Sequence, residues 1–295
     1  MPGGERTRES IAAQPEWLAQ VPTDRRLPPG RVLHTGCGTS FHAAQTGGEA
    51  LQALELVLAP EREEDVLVVV SHEGETVVAM EAVQAWKAKS WLVTGAPESR
   101  LAQLCDEVVV STPEIERSWC HTASYTAAVA TLAALRGEDV SWFPGAVSEV
   151  LAGERLPVSA HERFLVAGAG RDWPTAQEAV LKLREGTFVA AESHHTEQLL
   201  HGDLAAIDES VRCFVLEGEG RAAERAHDAV AALQVLGCDV TLVPTRHPVV
   251  DIVQFQLLTV DLADARGVDP DAIRRDDPRW SRAAEAHGSS GTLPA

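Results

Sequence analysis

Short apolar runs alternate with segments of helical periodicity along most of the chain. In the first half, four runs have the length and β-branched content of buried strands: 31–38, 65–71, 90–96 and 107–112. A fifth strand is predicted at 54–60. Helices are predicted at 40–54, from Glu75, at 99–104 and in the segment ending at Leu135. This order is typical of βαβ units, which form parallel sheets with helices on both faces.

The second half repeats this order after a stretch at 141–163 that contains proline and glycine. Predicted strands and helices then alternate at 164–170, 174–189, 211–218, 222–236, 239–245 and 248–266. Gly36 and Gly168 each end the first strand of a set, a domain-sized interval apart. We therefore expect two similar α/β subdomains, 1–145 and 146–295.

Composition and charge restrict the partners. The chain has 295 residues, 45% of them apolar, and a formal net charge of −19, which repels nucleic acid and anionic lipid. Neither a nucleic-acid partner nor a membrane is expected, since the longest apolar runs are far below the roughly 20 residues of a spanning helix. The polar N-terminus shows no secretory signal, which favours the cytoplasm. Five widely spaced cysteines indicate reduced thiols.

Two glycine-rich turns, T-G-C-G-T-S at 35–40 and A-G-A-G-R-D at 167–172, each join a predicted strand to a predicted helix. Free backbone amides and the helix dipole can bind an anion there, although a plain tight turn is equally compatible with the pattern. The third glycine of a dinucleotide fingerprint is replaced by Phe41 and Trp173, so NAD is not expected.

The hexapeptide S-H-E-G-E-T at 71–76 follows the most apolar predicted strand and precedes a helix. Its hydroxyls, Ser71 and Thr76, and the Gly74 amide should lie at the carboxyl edge of the sheet, where open α/β sheets bind ligands. Either hydroxyl could instead only cap the helix.

Lys182 and Glu185 lie three residues apart in a predicted helix and therefore share a face, which suits an ammonium that holds a carboxylate. An ordinary surface ion pair is the alternative. The segment E-S-H-H-T-E-Q-L-L-H-G-D at 192–203 is predicted to be a solvated, histidine-rich turn. It lacks an H-E-x-x-H motif, and adjacent His194 and His195 cannot share a helical face, so neither a metal nor another cofactor is expected.

Together these segments resemble the SIS (sugar isomerase) family, most closely the isomerase half of glucosamine-6-phosphate synthase. The resemblance covers nearly the whole chain. It rests on six motifs in order: Glu9, Ile11, Gln14 and Pro15; C-G-T-S at 37–40; S-x-x-G-E-T at 71–76; Glu116 to Thr126; L-K-L-x-E at 181–185; and H-G-x-L-A-x-I-D at 201–208. No glutaminase domain precedes residue 9, so glutamine is not an expected substrate.

The resemblance implies two tandem SIS subdomains, each a five-stranded parallel sheet flanked by helices, in a homodimer with shared active sites. It implies an aldose–ketose isomerase or an amino-sugar-phosphate deaminase that binds a small sugar phosphate and moves a proton through an enediol. Glu185 matches the family's base, Lys182 a lysine near it, and His201 the ring-opening histidine of the adjacent subunit. Substrate-binding positions match Cys37, Gly38, Thr39, Ser40, Ser71, His72, Glu73, Gly74, Thr76, Cys120, His121 and Thr122.

The sequence departs from the family pattern at several positions. Glu73 replaces the second serine of the phosphate loop, His121 replaces a later serine, and Ala123 replaces a lysine. The tail at 269–283 contains no lysine that could form an imine. Its Arg274 and Arg275 are predicted to be exposed; closure of either arginine over a ligand is the alternative. These departures support an alternative: an altered-specificity or non-catalytic SIS protein that binds an unphosphorylated sugar derivative.

Overall fold

A five-stranded parallel sheet forms the centre of the first half of the chain. The computed structural model describes residues 3–286. The strands are β1 (Val32–Gly36), β2 (Ala50–Gln52), β3 (Val66–Val70), β4 (Lys89–Thr94) and β5 (Glu107–Val110), in the order β2-β1-β3-β4-β5. Every residue of β3 is buried, as its unbroken apolar run predicts for a central parallel strand. The helices are α1 (Glu5–Leu18), α2 (Thr39–Thr46), α3 (Ala53–Leu58), α4 (Val77–Ala85), α5 (Arg100–Leu104) and α6 (Ala123–Leu135).

The second half contains a four-stranded parallel sheet. Its strands are β6 (Arg163–Gly168), β7 (Ala190–His195), β8 (Val211–Leu216) and β9 (Asp239–Val243), in the order β7-β6-β8-β9. Its helices are α7 (Phe143–Ala152), α8 (Trp173–Thr187), α9 (Thr196–His201), α10 (Arg221–Val235), α11 (Pro248–Arg266) and α12 (Pro278–Ala286). The predicted pair of parallel α/β sandwiches is thus confirmed. The division at residues 145 and 146 stays a prediction.

The hydrophobic core is continuous between the two sheets. Successive strand residues point to opposite faces, and one cluster accordingly contains Val68 of β3 together with Val166 of β6. The opposite faces carry separate clusters that contain Leu67 and Leu165. All thirteen residues of α6 are buried in the shared layer, as expected for a helix that is apolar on every side. Within residues 3–286, no helix is both long and apolar enough to cross a membrane.

Four predictions about elements were wrong in detail. The helix predicted at 40–54 ends at Thr46, and the short edge strand β2 (Ala50–Gln52) follows it. The second sheet was expected to have five strands, but it has four in the described part of the chain. In the first half, α5 and the fifth strand β5 lie between β4 and α6; in the second half, α11 starts only a few residues after β9. The segment predicted as a strand at 54–60 belongs mostly to α3, whose buried residues Ala53 and Leu56 have helical spacing. The predicted histidine-rich turn is edge strand β7 followed by α9, and an edge position tolerates its polar residues.

Candidate active site

The candidate site lies at the carboxyl edge of the first sheet. The turn after β1 is tight: a Cβ on Gly36 would lie 2.7 Å from the Ser40 carbonyl carbon, so only glycine allows α2 to start there. The loop after β3 turns at Gly74, whose φ of 67° favours glycine, and it packs against Ser99. These two glycines bring the hydroxyls of Ser40 and Ser71 to one edge of the sheet.

A cavity of about 690 Å³ opens at this edge. It brings together nine residues predicted from the sequence: Cys37, Thr39, Ser40, Ser71, His72, Glu73, Thr76, His121 and Glu185. Several other residues in its wall were not among the predicted site residues: Glu75, Val77, Val78, Glu81, Trp119, Ile273 and Arg275. The cavity thus places one carboxylate from the second half, Glu185, opposite hydroxyl-bearing loops of the first half.

The Glu185 carboxylate is held from behind by a buried ammonium. Lys182 Nζ lies 2.6 Å from Glu185 Oε2 and donates to Thr39 Oγ1 at 3.1 Å. The Lys182 side chain is only 1% exposed, so the alternative of an ordinary surface ion pair is wrong. Burial disfavours its charged form, but Glu185 and Glu178 outweigh that effect and raise the pKa of Lys182 above its ordinary value. Lys182 is therefore a permanent cation at neutral pH.

A second buried carboxylate, Glu116, organises the histidine side of the cavity. It accepts hydrogen bonds from Thr122 Oγ1 and from the amides of Thr122, Ala123 and Ser124, and so caps the N-terminus of α6. Burial alone would raise the pKa of Glu116, but the neighbouring His121 and these hydrogen bonds hold it below the ordinary value.

The backbone amide of Glu116 fixes His72 in one tautomer. The Glu116 amide donates to His72 Nε2 at 2.9 Å, so Nδ1 carries the proton of the neutral ring. Burial, together with neighbouring His121, lowers the pKa of His72 to about 4, and His72 is therefore neutral at pH 7. The rings of His72 and His121 meet edge to face, 5.3 Å apart.

A small inner cavity of about 10 Å³, about the space that one water molecule needs, lies behind these histidines. Its wall carries buried polar atoms without a hydrogen-bond partner among the described residues: His72 Nδ1, His121 Nε2, Ser124 Oγ and Tyr125 Oη. An ordered solvent molecule in this cavity can form the hydrogen bonds that these atoms lack.

Six predicted site residues do not line the cavity: Lys182, which lies behind Glu185, the loop glycines Gly38 and Gly74, and Cys120, Thr122 and His201. Cys120 is buried, and burial raises the pKa of its thiol to about 12, so it is a neutral thiol. Thr122 is buried and engaged by Glu116. His201 is exposed at the end of α9, where its Nε2 lies 2.7 Å from Glu197 Oε1, and it does not line the cavity.

The tail after α11 was predicted to be exposed; Arg275 is exposed and Arg274 is half-buried, and the tail is also anchored to the rest of the chain. Asp271 accepts from the Arg6 and Thr7 amides and from Thr7 Oγ1, and the Trp119 amide donates to the Asp271 carbonyl. The Arg275 guanidinium lies 3.7 Å from the centre of the Trp119 ring, and both side chains line the cavity. Arg274 lies over Phe188 and Trp280. The tail thus brings a cation to the mouth of the cavity.

Charges of both signs surround the cavity. Glu75 is paired with Arg100. Glu73 and Glu81 form no ion pair with any residue between 3 and 286, and neither does Arg275. The cavity therefore offers an unpaired cation and unpaired carboxylates to a ligand.

The second glycine-rich turn carries its own carboxylate. Asp172, at the start of α8, is 1% exposed and accepts from Thr245 Oγ1 at 2.9 Å. Burial raises the pKa of Asp172. An anion at this turn would meet a buried carboxyl group, whereas the turn at Gly36 carries Thr39 and Ser40. The two glycine-rich turns therefore present different groups to an anion.

Comparison with known proteins agrees with the resemblance seen in the motifs. The glutamine–fructose-6-phosphate aminotransferase (isomerizing) of Thermus thermophilus is 28% identical over 308 residues, covering 83% of this chain and 51% of that protein. The Pyrococcus horikoshii protein of the same name is 27% identical over 301 residues, with 83% and 50% covered. The chain spans about half the length of the curated relatives it matches. No known protein-family profile matches the chain.

Solved structures show the same fold. The C-terminal domain of glucosamine-fructose-6-phosphate aminotransferase from Francisella tularensis matches with a TM-score of 0.77 and 18% identity, over 90% of this chain and 98% of that one. Glucosamine-6-phosphate deaminase from Thermotoga maritima gives 0.76 and 20%, over 91% and 97%. Tagatose-6-phosphate ketose/aldose isomerase from Escherichia coli gives 0.76 and 17%, over 92% and 95%. The predicted resemblance to sugar isomerase proteins is confirmed by these relatives and folds.

Proposed function

We propose that this chain is an enzyme that acts on a sugar phosphate, as an aldose–ketose isomerase or an amino-sugar-phosphate deaminase. One observation carries the proposal: Glu185, held by the buried Lys182 ammonium, lines the same cavity as the hydroxyls of Ser40, Ser71 and Thr76. The names of the relatives and of the structural neighbours, which are sugar-phosphate enzymes, support the same class of substrate.

Glu185 serves as the base in this proposal. Isomerisation moves a proton between C1 and C2 of an open-chain sugar through an enediol, which requires one carboxylate within reach of both carbons. The Lys182 ammonium fixes the position of this carboxylate. Hydrogen-bond donors in the wall stabilise the developing oxyanion.

The ligand's phosphate is assigned to the hydroxyls of Ser40, Ser71 and Thr76. Glu73 opposes it: two unit charges 4 Å apart interact by about 1 kcal/mol in water and about 4 kcal/mol at an effective dielectric of 20. Arg275 lines the same cavity, carries no ion pair within residues 3–286 and offsets part of this repulsion.

His201 takes part only if a second copy supplies it. Its side chain is 69% exposed and is absent from the wall of the cavity in its own chain. In a homodimer with shared active sites, this exposed histidine would reach the cavity of the other copy, which supports the assembly implied by the sequence.

A panel of hexose, pentose and amino-sugar phosphates, with matched unphosphorylated sugars, tests the function. Turnover of a phosphorylated sugar is expected, and Glu185→Gln should lower kcat by about 10²- to 10⁴-fold while ligand binding survives. Full activity of Glu185→Gln on the identified substrate would contradict the assignment of the base.

The alternative is a protein that binds an unphosphorylated sugar derivative without turnover. The unpaired carboxylates of Glu73 and Glu81 in the cavity favour it. Calorimetry separates the two functions: this alternative requires tighter binding of unphosphorylated sugars than of their phosphates, and no reaction with either.

A further inference from the structure

Four polar side chains meet behind the candidate base, two from each half of the chain. Thr39 and His42 come from α2, and Glu178 and Lys182 come from α8. His42 Nδ1 lies 2.7 Å from Glu178 Oε2, and Thr39 Oγ1 donates to Glu178 Oε1 at 3.1 Å. Glu178 is fully buried. A buried carboxylate is therefore satisfied by groups from another part of the chain.

The Lys182 ammonium is shared unequally between two carboxylates. Its Nζ lies 2.6 Å from Glu185 but 3.4 Å from Glu178. We propose that His42 is a positioning residue that keeps Lys182 directed at Glu185, an inference that rests on the function proposed above.

A buried carboxylate needs hydrogen-bond donors for both of its oxygens. An ionised carboxylate only accepts, so His42 Nδ1 must carry the proton that bonds to Glu178. Within residues 3–286, His42 provides the only hydrogen bond to Glu178 Oε2. Without this donor, Glu178 would be an incompletely paired buried charge, which is strongly unfavourable. The nearest cation able to compensate is Lys182.

Loss of His42 should therefore move Lys182 towards Glu178 and away from Glu185. Glu185 would lose the short bond that fixes its carboxylate beside the cavity, and proton transfer is sensitive to such displacements. Ligand binding should change little, because neither His42 nor Lys182 lines the cavity. The expected signature is a loss in kcat with KM nearly constant.

The same pair of helices supplies a matched control. Gln45 Nε2 donates to Gln177 Oε1 at 2.7 Å, so it also joins α2 to α8 by one hydrogen bond, but it does not touch the buried charges. His42→Ala should lower kcat by about tenfold or more, which is less than removal of the base itself. Gln45→Ala should leave kcat unchanged. His42→Asn, whose amide keeps a donor, should recover most of the activity.

Two results in these assays would overturn the proposal. One is an equal loss in Gln45→Ala, which would show that His42 only holds the helices together. The other is a rise in KM at constant kcat in His42→Ala.

A double-mutant cycle of His42→Ala and Glu178→Gln tests whether His42 acts through Glu178, independently of the effect of His42→Ala alone. In Glu178→Gln the buried charge is gone, so adding His42→Ala should cost little further activity. An equally large loss from His42→Ala in both backgrounds would show that His42 does not act through Glu178.

Crystal structures of the wild type, His42→Ala and His42→Asn test the geometry without any turnover. In His42→Ala, Lys182 Nζ is expected within hydrogen-bond distance of Glu178 and farther from Glu185, and His42→Asn should restore the original arrangement. An unchanged Lys182 in His42→Ala would overturn the proposal. If the wild type converts no sugar phosphate, the proposed function fails, while these distances still decide the role of His42.

Discussion

Asp251→Asn should stabilise the protein, and more so as the pH rises. Asp251 lies in α11 and is 1% exposed. Its Oδ1 accepts from the Arg246 amide at 2.8 Å, while its Oδ2 is buried without a hydrogen-bond partner among the described residues. Burial, and then the neighbouring Asp172 carboxylate, raises the pKa of Asp251 from 3.8 to about 7. The folded protein therefore holds a proton that the unfolded chain releases.

The sign and size follow from proton linkage. The folded state binds the Asp251 proton more tightly than the unfolded state does. The contribution of this proton to the free energy of unfolding is therefore fully present below pH 3.8 and is lost as the pH rises through about 7. Between pH 5 and pH 8 this loss is about 3 kcal/mol, as an order of magnitude. An asparagine keeps the bond to the Arg246 amide and presents an amide donor beside Asp172, but it carries no titrating proton.

The assay is urea unfolding of wild type and Asp251→Asn at pH 5, 6, 7 and 8. The difference in unfolding free energy should grow in favour of the variant by about 3 kcal/mol over this range. Asp261→Asn, at a partly exposed position of the same helix, is the control for the loss of one carboxylate. Parallel pH curves for wild type and Asp251→Asn would show that Asp251 takes up no proton on folding.

Three further predictions concern the assembly, the ligand and the tail. Mixing inactive Glu185→Gln with inactive His201→Ala should recover activity if two copies share their sites, whereas no recovery under conditions of subunit exchange would contradict the dimer proposal. Glu73→Ser should tighten the binding of a sugar phosphate about fivefold in calorimetry, since an exposed carboxylate repels a nearby anion by about 1 kcal/mol in water. Unchanged affinity would place Glu73 outside the phosphate site. Asp271→Asn should cost about 1–2 kcal/mol in urea unfolding, because its charge-assisted hydrogen bonds to the Arg6 and Thr7 amides are weakened, and no loss would mean that this anchor contributes little.

The local pattern of the sequence determined most of the fold. The apolar run of β3 predicted a buried central strand, and Pro248 and Gly267 bracket α11, which was predicted with its observed bounds. The spacing of Lys182 and Glu185 predicted their shared face, because helix geometry fixes which residues are neighbours. Glu178, one turn before Lys182, could have been included by the same reasoning.

Tertiary structure alone decided which distant residues meet. His42 contacts Glu178, and Arg275 contacts Trp119, across more than a hundred residues, and neither residue type nor spacing encodes such pairs. Burial likewise turned the Lys182 pair from an apparent surface ion pair into a buried network. The number of strands in the second sheet depended on how soon α11 packs against it. Periodicity records which face of an element is apolar, whereas charge pairing and burial depend on what that face packs against in the folded chain.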